Sequence, residues 1–181
     1  MSLISDADLE LLSKAGLKGQ DLEHSVKVAQ KALEIARRMP VRLDMELVAR
    51  GALFHDLGKA RTRALEHGLV GAELGRALGL PEELLQVMQK HIRGGLSPQE
   101  AQELGLPVKD YALRRLEERI IIYADRLVDI ITEGVVKLSS EAEAEQRFEE
   151  ILQAYPKYGK NPLTLQRYLC YHREIQDLAG R

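Results

Sequence analysis

The stretch Leu53-Phe54-His55-Asp56-Leu57-Gly58-Lys59 sets an imidazole and a carboxylate side by side where an apolar helical run meets a glycine. Asp44 is placed to cap that run as a helix in which Val48, Gly51, Ala52 and His55 share one side. Its two small residues leave room beside the imidazole. A His-Asp pair alone is weak evidence, because such pairs commonly sit in solvated turns. Its meaning depends on what the neighbouring segments bring to it.

Working outward, the segment before it predicts a helix from about Asp21 to Met39, stopped by Pro40, whose stripe runs through His24, Val28, Ala32 and Ile35. After it, Leu57 to Leu65 reads as a cationic loop with Lys59, Arg61, Thr62 and Arg63, of a kind that can collect phosphate oxygens. A helix from about Glu66 to Leu78 carries His67, Gly71 and Leu74 in register, with Gly79 closing it. Pro81 is placed as the first residue of the next, where Leu84, Val87, Met88 and His91 repeat at helical spacing. Ser97 and Glu100 form a capping box for a short helix through Leu104. With Gly105 to Tyr111, that helix is expected to border the mouth of a pocket.

The longest helix is predicted over Leu113 to Leu138, with Ile121, Ile122, Asp125 and Val128 on one face. Outside this core, Ser5 caps a first helix ending near Gly16. Ser140 with Glu143 predicts another box and one helix to Ala154, ended by Pro156, and Asn161-Pro162 opens a helix to Leu178. The expected fold is an all-α bundle, a single domain over 1–181 with its motif core near 21–132 and flanking helices in 1–20 and 139–181. A composition 45% hydrophobic and only 4% aromatic suits packed helices of Leu, Ile, Val and Ala.

Charge and composition narrow the function. The net charge is −2 and no Lys/Arg run forms the footprint of a nucleic-acid polymer site, so a small ligand is expected. Neither a signal pattern nor a long apolar span is present, which predicts a soluble, cytoplasmic protein with no membrane partner. Cys170 is the single cysteine, so no intrachain disulfide forms, and it is expected to be a small packing residue. His172 is expected at the surface, Glu23 exposed, Asp129 in a salt bridge with a nearby arginine, and Tyr155, Tyr158 and Tyr168 packed among the C-terminal helices. A charged helix followed by an apolar one leaves a homodimer open.

One histidine on an apolar face is more often a hydrogen-bonded core residue than a ligand. Here four of the five histidines, His24, His55, His67 and His91, fall on inward faces of different helices, and Asp125 joins them. An uncompensated buried carboxylate costs several kcal/mol, on the order set by its lost hydration. A metal cation removes that cost, and helices hold such ligands rigidly.

These residues, His24, the His55-Asp56 doublet with Leu57-Gly58-Lys59, His67 in Glu66-His67-Gly68, His91 and Asp125 in Tyr123-Ala124-Asp125-Arg126, resemble the HD-domain metal-dependent phosphohydrolase superfamily in its HDIG-type branch. The likeness spans about His24 to Ile130 and implies the helical HD bundle. It implies that His24, His55, Asp56 and Asp125 hold one metal, and that His67 and His91 hold a second, with Asp56 bridging. Mixed imidazole and carboxylate ligation suits Fe, Mn, Co, Ni or Zn better than Ca or an all-oxygen Mg cage. Water activated at such a centre would attack phosphorus. Lys59 would offset the growing negative charge, with Arg61, Thr62 and Arg63 as candidates to orient the phosphate.

The implied activity is hydrolysis of a phosphate monoester or diester, with a nucleotide as the expected substrate. The alternatives are a di-iron oxygenase of the same superfamily, which shares the ligand order, and a non-catalytic nucleotide- or metal-binding module. The Gly-Tyr-Pro element of the branch acting on cyclic dinucleotides is absent, so that specialised activity is not expected.

Overall fold

The structure, a computed structural model, describes residues 2–180. It is built of helices and turns, with no strand among the described residues. In chain order the helices are α1 (Asp6–Ala15), α2 (Gly19–Arg37), α3 (Met45–Phe54), α4 (His67–Ala77), α5 (Glu82–Lys90), α6 (Pro98–Glu103) and α7 (Leu116–Thr132). They continue with α8 (Glu141–Gln146), α9 (Phe148–Ala154), α10 (Pro156–Gly159) and α11 (Pro162–Ala179).

The periodic stripes form the core. Val28, Ala32 and Ile35 of α2, Val48 and Ala52 of α3, and Ile120 and Ile121 of α7 are all fully buried, and α2, α3 and α7 pack on one another. Burying aliphatic side chains of this kind stabilises a fold by about 1.5–3 kcal/mol each. Gly51 lets α7 approach α3, since a Cβ there would lie 2.7 Å from the Ile121 Cδ1. The cluster runs on from α1 through to Ile175 of α11, and a smaller one gathers Ile92, Leu96, Ala101 and Tyr111.

Helix starts follow the expected caps. Ser5, Asp44 and Asn161 accept from the N–H groups of Asp8, Leu47 and Thr164, and Ser97 with Glu100 makes the capping box. Several boundaries differ from expectation. Pro81 is the N-cap of α5 rather than its first residue. α7 begins at Leu116 because the Glu118 carboxylate accepts from the N–H groups of both Arg114 and Arg115 at 3.0 Å, fixing the chain just before the first turn. It ends at Thr132, shortly before Gly134 adopts a left-handed φ of 70°.

The single helix expected over 140–154 is two, broken at Arg147, whose side chain reaches Glu143 on one side and Glu150 on the other at 2.9 Å. Ser140 makes no side-chain cap; Glu143 instead accepts from the Ser139 N–H at 2.6 Å. The segment after His55-Asp56 is not all irregular loop, because Leu57–Ala60 winds into a 3-10 turn.

Side chains outside the core also depart from the sequence reading. Cys170 is exposed rather than packed. His172 is half-buried rather than at the surface: its Nδ1 shares a hydrogen bond with the Tyr123 hydroxyl at 2.7 Å, and its ring stacks on Phe148 with centroids 4.9 Å apart. Tyr158 and Tyr168 are buried in the C-terminal region, as expected.

Candidate metal centre

Five helices and their ends deliver the ligand candidates to one place. α2 carries His24, α7 carries Asp125, the end of α3 gives His55 and Asp56, α4 opens with His67, and α5 hands over to His91. The approach of α4 to the turn after Asp56 depends on Gly58, whose added Cβ would lie 1.8 Å from the His67 carbonyl oxygen and 2.8 Å from the Gly71 N. His55, Asp56 and His91 are 0%, 3% and 6% exposed, and a buried position for such groups is costly without partners.

The imidazoles share one orientation. The Nδ1 atoms of His55, His67 and His91 lie 2.6, 2.8 and 2.7 Å from the carbonyl oxygens of Ala52, Ala64 and Met88, each three residues back. A carbonyl only accepts, so each Nδ1 carries a proton, and each ring when neutral presents its lone pair at Nε2. Backbone carbonyls fix the tautomer in this way for imidazoles that ligate metals.

Those lone pairs converge. Nδ1, Nε2 and carboxylate oxygens form two groups, His24 with His55 and Asp125, and Asp56 with His67 and His91, each with its ligand atoms within 4.8 Å of one another. Asp56 divides its oxygens between them. Its Oδ2 lies 3.3 Å from His55 Nε2, whereas its Oδ1 lies 3.3 Å from His67 Nε2 and 3.2 Å from His91 Nε2. His24 Nε2 meets Asp125 Oδ1 at 2.8 Å.

Two features fit a bound cation. His55 Nε2 is buried without a hydrogen-bond partner. His67 Nε2 and His91 Nε2 face each other at 2.9 Å, two acceptors in contact when both rings are neutral. A shared proton or metal ion relieves that repulsion, and the mixed nitrogen and oxygen donors fit a divalent ion. The residues present therefore fit the metal that their pattern implies.

The electrostatics agree. Burial pushes the His55 pKa down, but the Asp56 and Asp125 carboxylates more than reverse this and hold it well above the usual imidazole range. Burial would raise the acids, yet His55 above all holds Asp56 and Asp125 well below the usual carboxylate range. His91 is pushed down by burial, which keeps its ring neutral. Lys59 Nζ sits 2.8 Å from Asp56 Oδ2, and that carboxylate raises its pKa against the effect of burial.

The centre forms the floor of a cavity of about 680 Å³. Lys59 lines it, but Arg61, Thr62 and Arg63 do not. Arg63 points to Asp21 at 2.6 Å, Thr62 accepts from the Ala64 N–H, and Arg61 is exposed, so the expected cationic loop turns away after Lys59. Asp129 makes the expected salt bridge, to Arg126. The α6 helix and the 105–111 segment do not line the cavity either. In their place Arg93, Arg126, Lys160 and Tyr168 form its wall, residues that helical periodicity did not single out.

The family profile for the HD domain matches residues 21–130. An uncharacterized protein of Methanocaldococcus jannaschii is 38% identical over 164 residues, which cover 87% of this chain and 88% of that one. A tRNA (cytidine(56)-2'-O)-methyltransferase of Picrophilus torridus is 30% identical over 180 residues, 98% of this chain but 48% of that protein, so about half of the longer protein lies outside the match. Among solved structures, the HD domain of the L. monocytogenes phosphodiesterase PgpH in complex with cyclic-di-AMP has a TM-score of 0.61 at 18% identity, covering 94% of this chain and 96% of that one. That likeness is one of fold. With the profile match spanning every one of the converging His and Asp ligand candidates, the chain belongs to the HD-domain family.

Proposed function

We propose that this protein hydrolyses a small phosphate ester, a nucleotide or similar compound, at a centre of two divalent transition metal ions. The observation that carries the reading is the divided Asp56 carboxylate, with one oxygen turned to His55 and the other to His67 and His91. His24, His55 and Asp125 would hold one ion, His67 and His91 the other, and Asp56 both. Such ions, among them Fe, Mn, Co, Ni or Zn, acidify water for attack on phosphorus and supply positive charge against phosphoryl oxygens.

The protein's own groups do the rest. The carbonyls of Ala52, Ala64 and Met88 hold three imidazoles in the tautomer that leaves Nε2 free. Lys59 Nζ lies 2.8 Å from Asp56 Oδ2. Once Asp56 is neutralised from its other side, the ammonium is free to hold a phosphate oxygen and to offset charge that grows in the transition state. The Lys59 ammonium beside the His/Asp centre favours a phosphate ligand over the apolar or neutral substrate of an oxygenase.

The test is hydrolysis of a phosphomonoester, a phosphodiester and a nucleotide panel by protein reconstituted with each metal in turn. Activity that disappears on chelation and returns with metal supports the reading. Oxygen consumption by an iron-loaded protein that hydrolyses nothing would replace it with the oxygenase.

A further inference from the structure

Among the described residues, two that are not glycine adopt a positive φ: Arg93 at φ 50° and Lys160 at φ 65°. Both are cations, and both line the metal-site cavity. The left-handed region disfavours any residue with a Cβ, so glycine would suit either position better. Lys160 follows the α10 turn, held by its N–H to the Pro156 oxygen at 2.8 Å. Arg93 is fixed from α11, where Arg167 donates to its carbonyl at 2.8 Å and the Tyr171 hydroxyl donates to that of Gly94 at 2.6 Å. Two strained turns from distant parts of the chain thus present positive side chains to one space.

The other cations of the cavity are already matched. Lys59 pairs with Asp56, Lys27 with Glu23 and Arg126 with Asp129. Of the remaining acids that line it, Asp125 belongs to the His/Asp centre, Asp21 pairs with Arg63 at 2.6 Å and Glu133 with Lys157 at 2.7 Å. Arg93 and Lys160 take part in no ion pair among the described residues. Lys160 is also close enough to Arg126 and Arg93 for their charges, after burial, to push its pKa down, although Asp129 and Glu133 act in the opposite direction. Behind them, Arg126 is buried beside Tyr168, its Nε without a partner. Unmatched positive charge gathered in a cavity favours an anion there.

Resting on the phosphohydrolase reading, we propose that Arg93 and Lys160 form a second anion subsite, and that the substrate is a phosphate ester carrying a further anionic group that does not react. The scissile phosphate lies at the His/Asp centre and the second group reaches the Arg93 and Lys160 wall. Lys160 lies beyond residues 21–130, so this selectivity is contributed by the chain's C-terminal part and not by the family core alone.

The experiment compares adenosine 5'-monophosphate with adenosine 3',5'-bisphosphate, both as substrates of the metal-loaded protein and, in short titrations ahead of turnover, as ligands of the same metal-loaded protein by calorimetry. Wild-type protein binds the bisphosphate more tightly. Arg93→Gly and Lys160→Gly each weaken the bisphosphate by about tenfold, the loss expected for one charge-assisted contact, and leave the monophosphate unchanged. Both variants also melt higher than wild type, because glycine relieves the backbone, and Lys160→Arg restores part of the preference. Equal weakening of both ligands, or none, overturns the subsite even if hydrolysis is found. A selective loss in the binding arm sustains it even if neither compound is hydrolysed, the case in which the phosphohydrolase reading fails by itself.

Discussion

Asp56 is the residue on which both halves of the centre depend. In an Asp56→Ala variant, His55, His67 and His91 keep their carbonyl-held orientations but lose the oxygen they share, so the helices fold and both ions are bound much less tightly. Circular dichroism with metal titration reads this directly; retained affinity would remove Asp56 as the bridge. Lys59→Ala makes a different prediction, because its ammonium touches Asp56 and not the imidazoles. Metal content stays as in wild type while kcat falls by about 10²–10³-fold, the usual loss for a group that stabilises developing charge.

His55 adds a pH dependence at the same scale. Its pKa in the metal-free protein is raised well above the ordinary value by Asp56 and Asp125, despite burial. A raised imidazole contributes stability that is fully present below its unfolded pKa of about 6.5 and is lost as pH rises through the folded value. A metal ion takes the place of that proton at Nε2. Metal uptake near pH 7 therefore releases protons, and affinity climbs with pH until His55 is deprotonated. Calorimetry in two buffers of different ionisation enthalpy measures the release; uptake without proton release would show that His55 is already neutral.

At the scale of elements, the decisive contact is between the Leu57–Ala60 turn and α4. Gly58 meets the His67 carbonyl so closely that no other residue fits without moving α4. Gly58→Ala is expected to cost at least about 1–3 kcal/mol, as overpacked cores do. It also displaces His67 more than His24, so chemical denaturation and metal titration together should show a destabilised protein that loses one ion first. The same elements show what the sequence made legible. The stripes of α2, α3, α5 and α7 are periodic because each buries one face, and His24, His55, His91 and Asp125 could be found by asking which polar residues broke an apolar pattern.

Other features had no such signal. The break at Arg147 has neither Gly nor Pro, and arises from side-chain pairing to Glu143 and Glu150 that a periodic reading cannot see. His172 looked solvated because its neighbours in sequence are polar, whereas its partners Tyr123 and Phe148 come from other helices. Arg61 and Arg63 looked like phosphate ligands by nearness in sequence, and the 3-10 turn sends them outward. Arg93 and Lys160 are joined only by the fold. The one local hint was Arg93 beside Gly94-Gly95, a cation where the backbone was about to turn.

Across the molecule, the C-terminal helix ties the outer wall of the cavity to the ligand-bearing helices. Arg167 of α11 bonds the Arg93 carbonyl and pairs with the buried Glu100 at 2.5 Å. In Arg167→Ala, Glu100 loses its charged partner and keeps only the Ser97 N–H, and the Arg93 turn loses its anchor. A loss of about 1–3 kcal/mol of stability is expected from the unpaired buried group, with metal content preserved because no ligand touches Arg167. A melting temperature equal to wild type would show that α11 does not hold this wall. No described helix is long and apolar enough to cross a membrane.

The central claim is that the converging His and Asp residues hold two ions bridged by Asp56. The measurement that tests it most directly is elemental analysis of wild-type protein after metal reconstitution and gel filtration, beside Asp56→Ala and His91→Ala. About two equivalents in wild type, close to one in His91→Ala and little in Asp56→Ala are the values expected for a two-metal centre of this kind. A folded wild-type protein that retains no metal, or an Asp56→Ala variant that retains as much as wild type, would contradict it.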